Sequence, residues 1–194
     1  MASQPVPESG QPGPALISVV VPVYSIEDYL PDCLDSLLGG TAKVGPSGPA
    51  IEVIAVDDAS PDGSGRILDA RSARDPRLTV VHLASNAGPG NARNIGLTRA
   101  TGRYVWFVDG DDLLPAGALA AVAERLLRDR PDVLLIDYEE RYPGGRTKPS
   151  PGGSLLRAAP SGTFSLADAP QLINLTMTSW SKLFRREFLL GLTS

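Results

Sequence analysis

The apolar residues of this chain recur with two periods, and the switching between them predicts its elements. Ile17-Ser-Val-Val-Val-Pro-Val23 is apolar nearly throughout, the pattern of a parallel strand buried on both faces. Pro22 is expected at that strand's exit, because proline donates no hydrogen bond to a central ladder. From Ile26 to Leu38 the period changes, and Tyr29, Leu30, Cys33, Leu34, Leu37 and Leu38 recur at helical spacing. The Gly/Pro/Ser stretch from Gly39 to Pro49 predicts a long surface loop. Ile51–Val56 reads as a second strand that ends at Asp57-Asp58. Ser60-Pro-Asp-Gly-Ser64 then offers caps and a proline for a helix reaching about Arg74. A short strand over Leu78–Leu83 and a helix over Gly88–Arg99 follow, the helix with Ile95, Leu97 and Ala100 available for packing. Tyr104–Val108, Pro115–Arg128 and Val133–Tyr138 complete the series as strand, helix and strand.

Strand and helix alternate four times, which predicts an α/β domain with a mainly parallel central sheet flanked by helices. Beyond Glu139 the pattern weakens. Tyr142 to Ala159 is rich in Pro, Gly and Ser and carries Arg146, Lys148 and Arg157 just after Arg141, as a mobile basic loop would. Its charge suits an anionic polymer or membrane head groups, although solvated basic loops are common. Phe164 to Met177 predicts a helix with Ser165 or Asp168 near its start.

Composition narrows the classes. The 194 residues suit one domain, and 42% hydrophobic with 21% charged residues is ordinary for a soluble globular protein. A net charge of -4 argues against a nucleic-acid partner, which demands a basic face. No apolar run approaches the roughly 20 residues that span a bilayer. Residues 1 to 15 predict a disordered tail, since Met1 to Pro14 has neither a basic start nor an apolar core of a signal peptide. The lone cysteine, Cys33, forms no internal disulfide and suits a reducing compartment such as the cytoplasm, including the inner face of its membrane. A small buried thiol is its expected role. The single histidine, His82, excludes a His-rich metal centre, and a packed or hydrogen-bonded histidine at a strand end is expected.

The chemistry concentrates at strand ends. In open α/β sheets ligands bind outside the carboxyl ends of the strands, and Asp57, Asp58, Asp109, Asp111 and Asp112 all fall there. Asp109-Gly-Asp111-Asp112 directly follows the apolar run Tyr104-Val-Trp-Phe-Val108. Like charges so close repel unless a cation shares the site. Oxygen-only ligands favour Mg²⁺ or Mn²⁺ over zinc or copper.

Four pieces in one order carry a resemblance: Val19-Val-Val-Pro-Val-Tyr24, Val53-Ile-Ala-Val-Asp-Asp-Ala-Ser60, Asn86-Ala-Gly-Pro-Gly-Asn-Ala-Arg-Asn-Ile-Gly96 and Phe107-Val-Asp-Gly-Asp-Asp112. Together they resemble the nucleotide-binding part of the inverting family 2 glycosyltransferases of the GT-A fold, which is Rossmann-like. The match covers residues 16 to 138, with a weaker echo at Trp180 to Arg186. The resemblance implies that Pro22 and Tyr24 contact the nucleotide base and that Asp58 reads it. A carboxylate accepts the N3 hydrogen of uracil, which makes uridine nucleotides the natural donor class, with guanosine and thymidine forms open. Arg93 is implied near the diphosphate or ribose, with Gly88 and Gly90 admitting backbone to the ligand and the helix N-terminus favouring anions. Asp109, Asp111 and Asp112 are the implied metal group, Asp111 and Asp112 touching metal and sugar and Asp109 lying toward the ribose.

The implied reaction moves a sugar from a nucleotide diphosphate to a hydroxyl of a glycan, lipid-linked or polymer acceptor, with inversion and metal assistance. Such transferases build polysaccharides and cell-wall polymers, among other products. Trp180 and Lys182 are acceptor-side candidates, within an acceptor-side segment spanning residues 139 to 194. In the family the general base lies on a segment after the tryptophan and lysine element. Here the chain reaches Ser194 before a recognisable Glu-Asp pair. The expectation is a segment trimmed before its base, so that it binds donor and metal without efficient transfer, or else substitution by Asp137 or Glu187. A rival reading is a nicotinamide-dinucleotide domain. Gly88-Pro-Gly90 opens a helix after a strand and Asp109 follows about 20 residues on, but Arg93 stands where that fingerprint needs a third glycine.

Overall fold

The computed structural model describes residues 15–39, 51–142, 144–175 and 178–192. The expected tail, apart from Ala15, and the 39–49 loop beyond Gly39 lie outside those residues. Ala15 itself belongs to the fold: it is buried, and its carbonyl accepts the Arg103 N–H at 3.3 Å.

The alternating half forms as its periods dictate. Strands β1 (Ile17–Val23), β2 (Ile51–Asp57), β3 (Leu78–His82) and β4 (Tyr104–Phe107) alternate with helices α1 (Leu30–Leu38), α2 (Ser64–Ser72) and α3 (Pro89–Arg99), and α4 (Ala118–Asp129) follows. All four strands are parallel, in the order β3-β2-β1-β4. β1 pairs with β4 only over Ile17–Val20, so Pro22 stands beyond its last partner on that side and costs no ladder bond. The α1 face of Leu30, Cys33, Leu34, Leu37 and Leu38 is buried. Tyr29 is 61% exposed, because the helix begins one residue later.

Helix α3 is held by contact rather than by amphipathicity. Its buried residues are Ala92 and Gly96, and a Cβ on Gly96 would lie 2.2 Å from Val20 Cγ1. The close helix–sheet approach that the dinucleotide fingerprint assigns to a third glycine is made here by Gly96, three residues after Arg93. Ile95, Leu97 and Ala100 pack with it against Val20, Ile54, Val56, Val105 and Phe107. The opposite face of the sheet is covered by apolar residues of α1, α2 and α4.

The last third departs from expectation in three places. β5 covers Val133–Leu135 and stops short of Tyr138. The basic stretch is folded: β6 (Glu139–Arg141) and β7 (Thr147–Pro149) make an antiparallel hairpin, and α5 (Gly153–Arg157) follows. Its charges are matched locally, Arg141 with Glu139, Lys148 with Glu140 and Arg157 with Asp137, while Arg146 lies 4.7 Å above the Tyr142 ring. The Phe164–Met177 helix reduces to a 3₁₀ turn over Pro170–Asn174, with residues 176–177 outside the described set. Pro170 supplies no N–H to a preceding turn, which limits a helix started earlier.

The largest addition is β8 (Lys182–Arg185), which leads into α6 (Arg186–Gly191). It inserts antiparallel between β4 and β5, completing the order β3-β2-β1-β4-β8-β5. Leu183 faces Trp106 on β4 and Lys182 faces Leu135 on β5. Lys182 thereby enters the sheet at the rim where β4 ends. Among the described residues no helix is long and apolar enough to cross a membrane.

Candidate functional site

The carboxyl ends of β1, β2 and β4 and the start of α3 enclose a cleft of about 320 Å³. Six residues expected from sequence line it together: Pro22, Tyr24, Asp58, Arg93, Asp109 and Asp111. Asp112, Trp180 and Lys182 are not in its lining. The cleft also takes Val23, Ile26, Asn86, Pro89, Ala92 and Gly110, to which the sequence reading assigned no contact. Gly110 packs closely there, since a Cβ on it would come within 2.4 Å of Ile26 Cδ1. Asn86 also lay inside a quoted motif, but nothing in its spacing showed that it would line the cleft.

Two strained residues shape the entrance. Ser25 (φ 54°) follows Tyr24, and Ala59 (φ 58°) follows Asp58, both left-handed without being glycine. Such strain persists only where surrounding contacts over-determine it. Here the Ser25 N–H donates to Ser60 Oγ at 3.3 Å, the Ile26 N–H to the buried Ser64 Oγ at 3.2 Å, and the Asp58 N–H to the Val23 carbonyl at 2.8 Å. The loops after β1 and β2 are thus tied together, leaving the Tyr24 ring half-exposed at the mouth.

The acids divide their work. Asp58 is buried, and its two oxygens accept the Ala87 and Gly88 N–H groups at 2.8 Å each, shaping the entry to α3. Gly88, with φ 86°, adopts a conformation that side chains resist. Asp57 accepts the Ser60 N–H at 3.0 Å and meets His82 Nδ1 at 2.8 Å, while His82 Nε2 meets Asp69 at 3.0 Å. Burial works against ionisation of Asp57, but the hydrogen bonds from Ser60 and His82 prevail and hold its carboxyl below the usual range. The expected strand-end histidine is hydrogen-bonded on both nitrogens.

Arg93 reaches from α3 across the cleft to Asp109, Nη2 to Oδ1 at 2.5 Å. Its Nε is buried without a hydrogen-bond partner among the described residues. Asp112 bonds back through its N–H to the Asp109 carbonyl at 2.9 Å. Loss of hydration, then the charges of Asp111 and Asp109, push its carboxyl up to about 6. Behind this loop lies Cys33, whose thiol is pushed up to about 12 by burial and then by the same acids. A thiol so resistant to ionisation is no nucleophile.

Among the described residues no three His, Cys, Asp or Glu side chains form a ready-made metal cage. Mg²⁺-type ions need none, because they take one or two carboxylates and complete their shell with phosphate and water. With Asp109 paired to Arg93, the donors that fit such an ion are Asp111 and the repelled Asp112.

Around the rim, Lys182 is 9% exposed and donates from Nζ to the Thr178 carbonyl at 2.8 Å and to Ser181 Oγ at 3.3 Å. Burial lowers its pKa. The Trp180 carbonyl accepts the Trp106 Nε1–H at 2.9 Å, so the tryptophan segment is fastened over the end of β4. Asp137 accepts the Ser150 hydroxyl and the Tyr138 N–H and pairs with Arg157, all outside the cleft. Glu187 follows the end of β8 that pairs with Tyr104, the amino end of β4, whereas the cleft lies at the carboxyl end.

A family model described as glycosyl transferase family 2 matches residues 18–191. The chain is 33% identical over 174 residues to the glycosyltransferase EpsJ of Bacillus subtilis, covering 89% of this chain and 48% of EpsJ. It is 39% identical over 104 residues to a poly(ribitol-phosphate) beta-glucosyltransferase of Bacillus spizizenii, covering 53% of this chain and 16% of that one. The structure of S. aureus TarS 1–349 in complex with UDP-GlcNAc superposes with a TM-score of 0.70 at 29% identity, over 91% of this chain and 47% of that one. The chain therefore spans about half, or less, of the length of these relatives. Sequence, sheet order and cleft agree: this chain belongs to glycosyl transferase family 2.

Proposed function

We propose that the cleft binds a uridine diphosphate sugar and that the chain takes part in transferring that sugar, with inversion, to a hydroxyl of a glycan, lipid-linked or polymer acceptor. The observation that carries this reading is the gathering of Pro22, Tyr24, Asp58, Arg93, Asp109 and Asp111, from the carboxyl ends of β1, β2 and β4 and from α3, around one cleft. The UDP-GlcNAc complex of TarS supports the donor class. The poly(ribitol-phosphate) beta-glucosyltransferase supports a cell-wall polymer as acceptor.

The residues divide the task by their chemistry. Tyr24 offers a flat ring at the mouth for stacking on the base. Asp58 retains lone pairs beyond those used by the Ala87 and Gly88 amides and accepts the uracil N3–H. Asp109 turns toward the ribose. Arg93, with its unpartnered Nε, and the N-terminus of α3 stabilise the diphosphate. Transfer forms a bond from the acceptor oxygen to the anomeric carbon as the bond to the β-phosphate oxygen breaks. The electron pair leaves on the diphosphate, and the acceptor proton passes to a base. Mn²⁺ or Mg²⁺, held by Asp111 and Asp112 with Asp109 beside them, supplies neutralisation of the leaving diphosphate when bound.

Calorimetric titration with UDP, GDP, dTDP and NAD⁺, each with and without Mn²⁺, tests the donor reading. UDP with Mn²⁺ is expected to bind most tightly. Preference for NAD⁺, or indifference to all four, overturns it.

A further inference from the structure

The β3–α3 connection, residues 83–88, forms one wall of the cleft through Asn86. Two adjacent acids at the end of β2 hold its two ends. Successive side chains of a strand point to opposite sides, so neighbouring acids can reach different targets. Asp58 binds the carboxyl end through the Ala87 and Gly88 amides. Asp57 binds the amino end: its carbonyl accepts the Leu83 N–H at 2.9 Å and its carboxylate meets His82 Nδ1 at 2.8 Å. On the far side of the ring, Asp69 of α2 meets Nε2 at 3.0 Å. Gly65 leaves room for this arrangement, since a Cβ there would lie 2.9 Å from Asp57 Oδ2 and 3.5 Å from His82 Cε1.

A carboxylate at each ring nitrogen requires two donors, and imidazole has two only when protonated. The neutral ring would set one lone pair against a carboxylate. The geometry therefore selects the imidazolium.

We propose that His82 is a positioning residue for the donor cleft, its imidazolium bracing the amino end of the 83–88 wall against β2 and α2 while Asp58 braces the other end. This rests on the reading of the cleft as a UDP-sugar site. The charged groups that face the ring are Asp57 from β2 and Asp69 from α2; β3 supplies none besides His82 itself. Their hydrogen bonds, that of Asp57 first, raise the ring's pKa above its ordinary 6.5, so the brace loosens as pH climbs through that raised value.

The test compares the unmodified chain with His82→Gln, which keeps hydrogen-bonding capacity without the charge, between about pH 6 and 9, a range set by the histidine titration. Amide-exchange protection factors at Leu83, Ala87 and Gly88 are measured without ligand, and UDP affinity is measured alongside. In the unmodified chain, protection and affinity should both fall about two- to fivefold on deprotonation, the range an exposed ion pair commands. In His82→Gln both should be uniformly low and flat with pH. Equal, parallel profiles in the two proteins overturn the proposal whatever binds. Exchange that follows the prediction while UDP affinity ignores both pH and substitution overturns the link to the cleft. A chain that binds no UDP at any pH yet shows the exchange difference retains the brace and sinks the donor reading instead.

Discussion

Asp109, Asp111 and Asp112, with Arg93 of α3 beside them, show how one loop serves two opposite requirements. Arg93 neutralises Asp109, whereas Asp112 is left facing like charge and rises to about 6. For an acid with a raised folded pKa, stability falls as pH climbs from the unfolded value of 3.8 through the folded one. The Asp112 side chain meets solvent, which screens this cost. Asp112→Asn should therefore raise metal-free stability at pH 7 by about 1 kcal/mol or less in urea unfolding. The same substitution should reduce the Mn²⁺-dependent gain in UDP affinity, a trade between stability and function. Asp111→Asn should abolish most of that gain and leave the urea midpoint nearly unchanged, as exposed substitutions do. Asp58→Ala differs in kind: it strands the Ala87 and Gly88 N–H groups and should cost about 1–3 kcal/mol of stability. A midpoint unmoved by Asp58→Ala would show that water replaces the carboxylate there.

At the scale of elements, the alternating half was legible because each run has a clean period and ends in recognisable turn chemistry. Pro22 and the acids at the ends of β2 and β4 could be placed at their strand exits, and Gly88 at the entry to α3, for that reason. Helix α3 shows the limit of periodicity, since its packing rests on one absent side chain. Gly96→Ala adds a methyl that would lie 2.2 Å from Val20 Cγ1. Despite alanine's better helix propensity, about 1 kcal/mol over glycine, overpacking should prevail, with a net loss of about 1–2 kcal/mol and a displaced Arg93. Unchanged stability and UDP affinity in that variant would contradict the tight-contact account. β8 was illegible as a strand. Lys-Leu-Phe-Arg is too short to show a period, and its partner β4 lies more than seventy residues upstream in the chain. Likewise the basic stretch read as a loop, because a three-residue hairpin strand is set by cross-strand pairing rather than by composition.

The molecule as a whole carries a pH signature from the His82 cluster. His82, whose folded pKa is raised, contributes stability that is complete below 6.5 and is lost as pH rises through the folded value. Asp57, whose folded pKa is lowered, contributes stability present above 3.8 and lost as pH falls through its folded value. Their joint contribution is complete between 3.8 and 6.5 and declines as pH rises further through the folded value of His82. In urea midpoints measured against pH, His82→Gln should remove a step from the alkaline limb and leave the Asp112 effect intact. If the alkaline limb is identical in both proteins, the ion pairs contribute nothing to folding.

Residue order alone was enough to announce a mainly parallel sheet with acids at its carboxyl ends, whereas Pro22, Tyr24 and Arg93 were assigned to the cleft through the resemblance to a family. Strand periodicity and the rule that ligands gather at strand ends are local properties, readable without knowing which strands are neighbours. The division of labour among those acids was not readable. Asp57 and Asp58 are adjacent in sequence yet reach different elements, and only the paired sheet shows one clasping a histidine and the other a loop. The same holds for Lys182, whose place at the rim follows from β8 entering between β4 and β5. Contacts made across long stretches of chain leave no periodic trace, so they appear only once the backbone has folded.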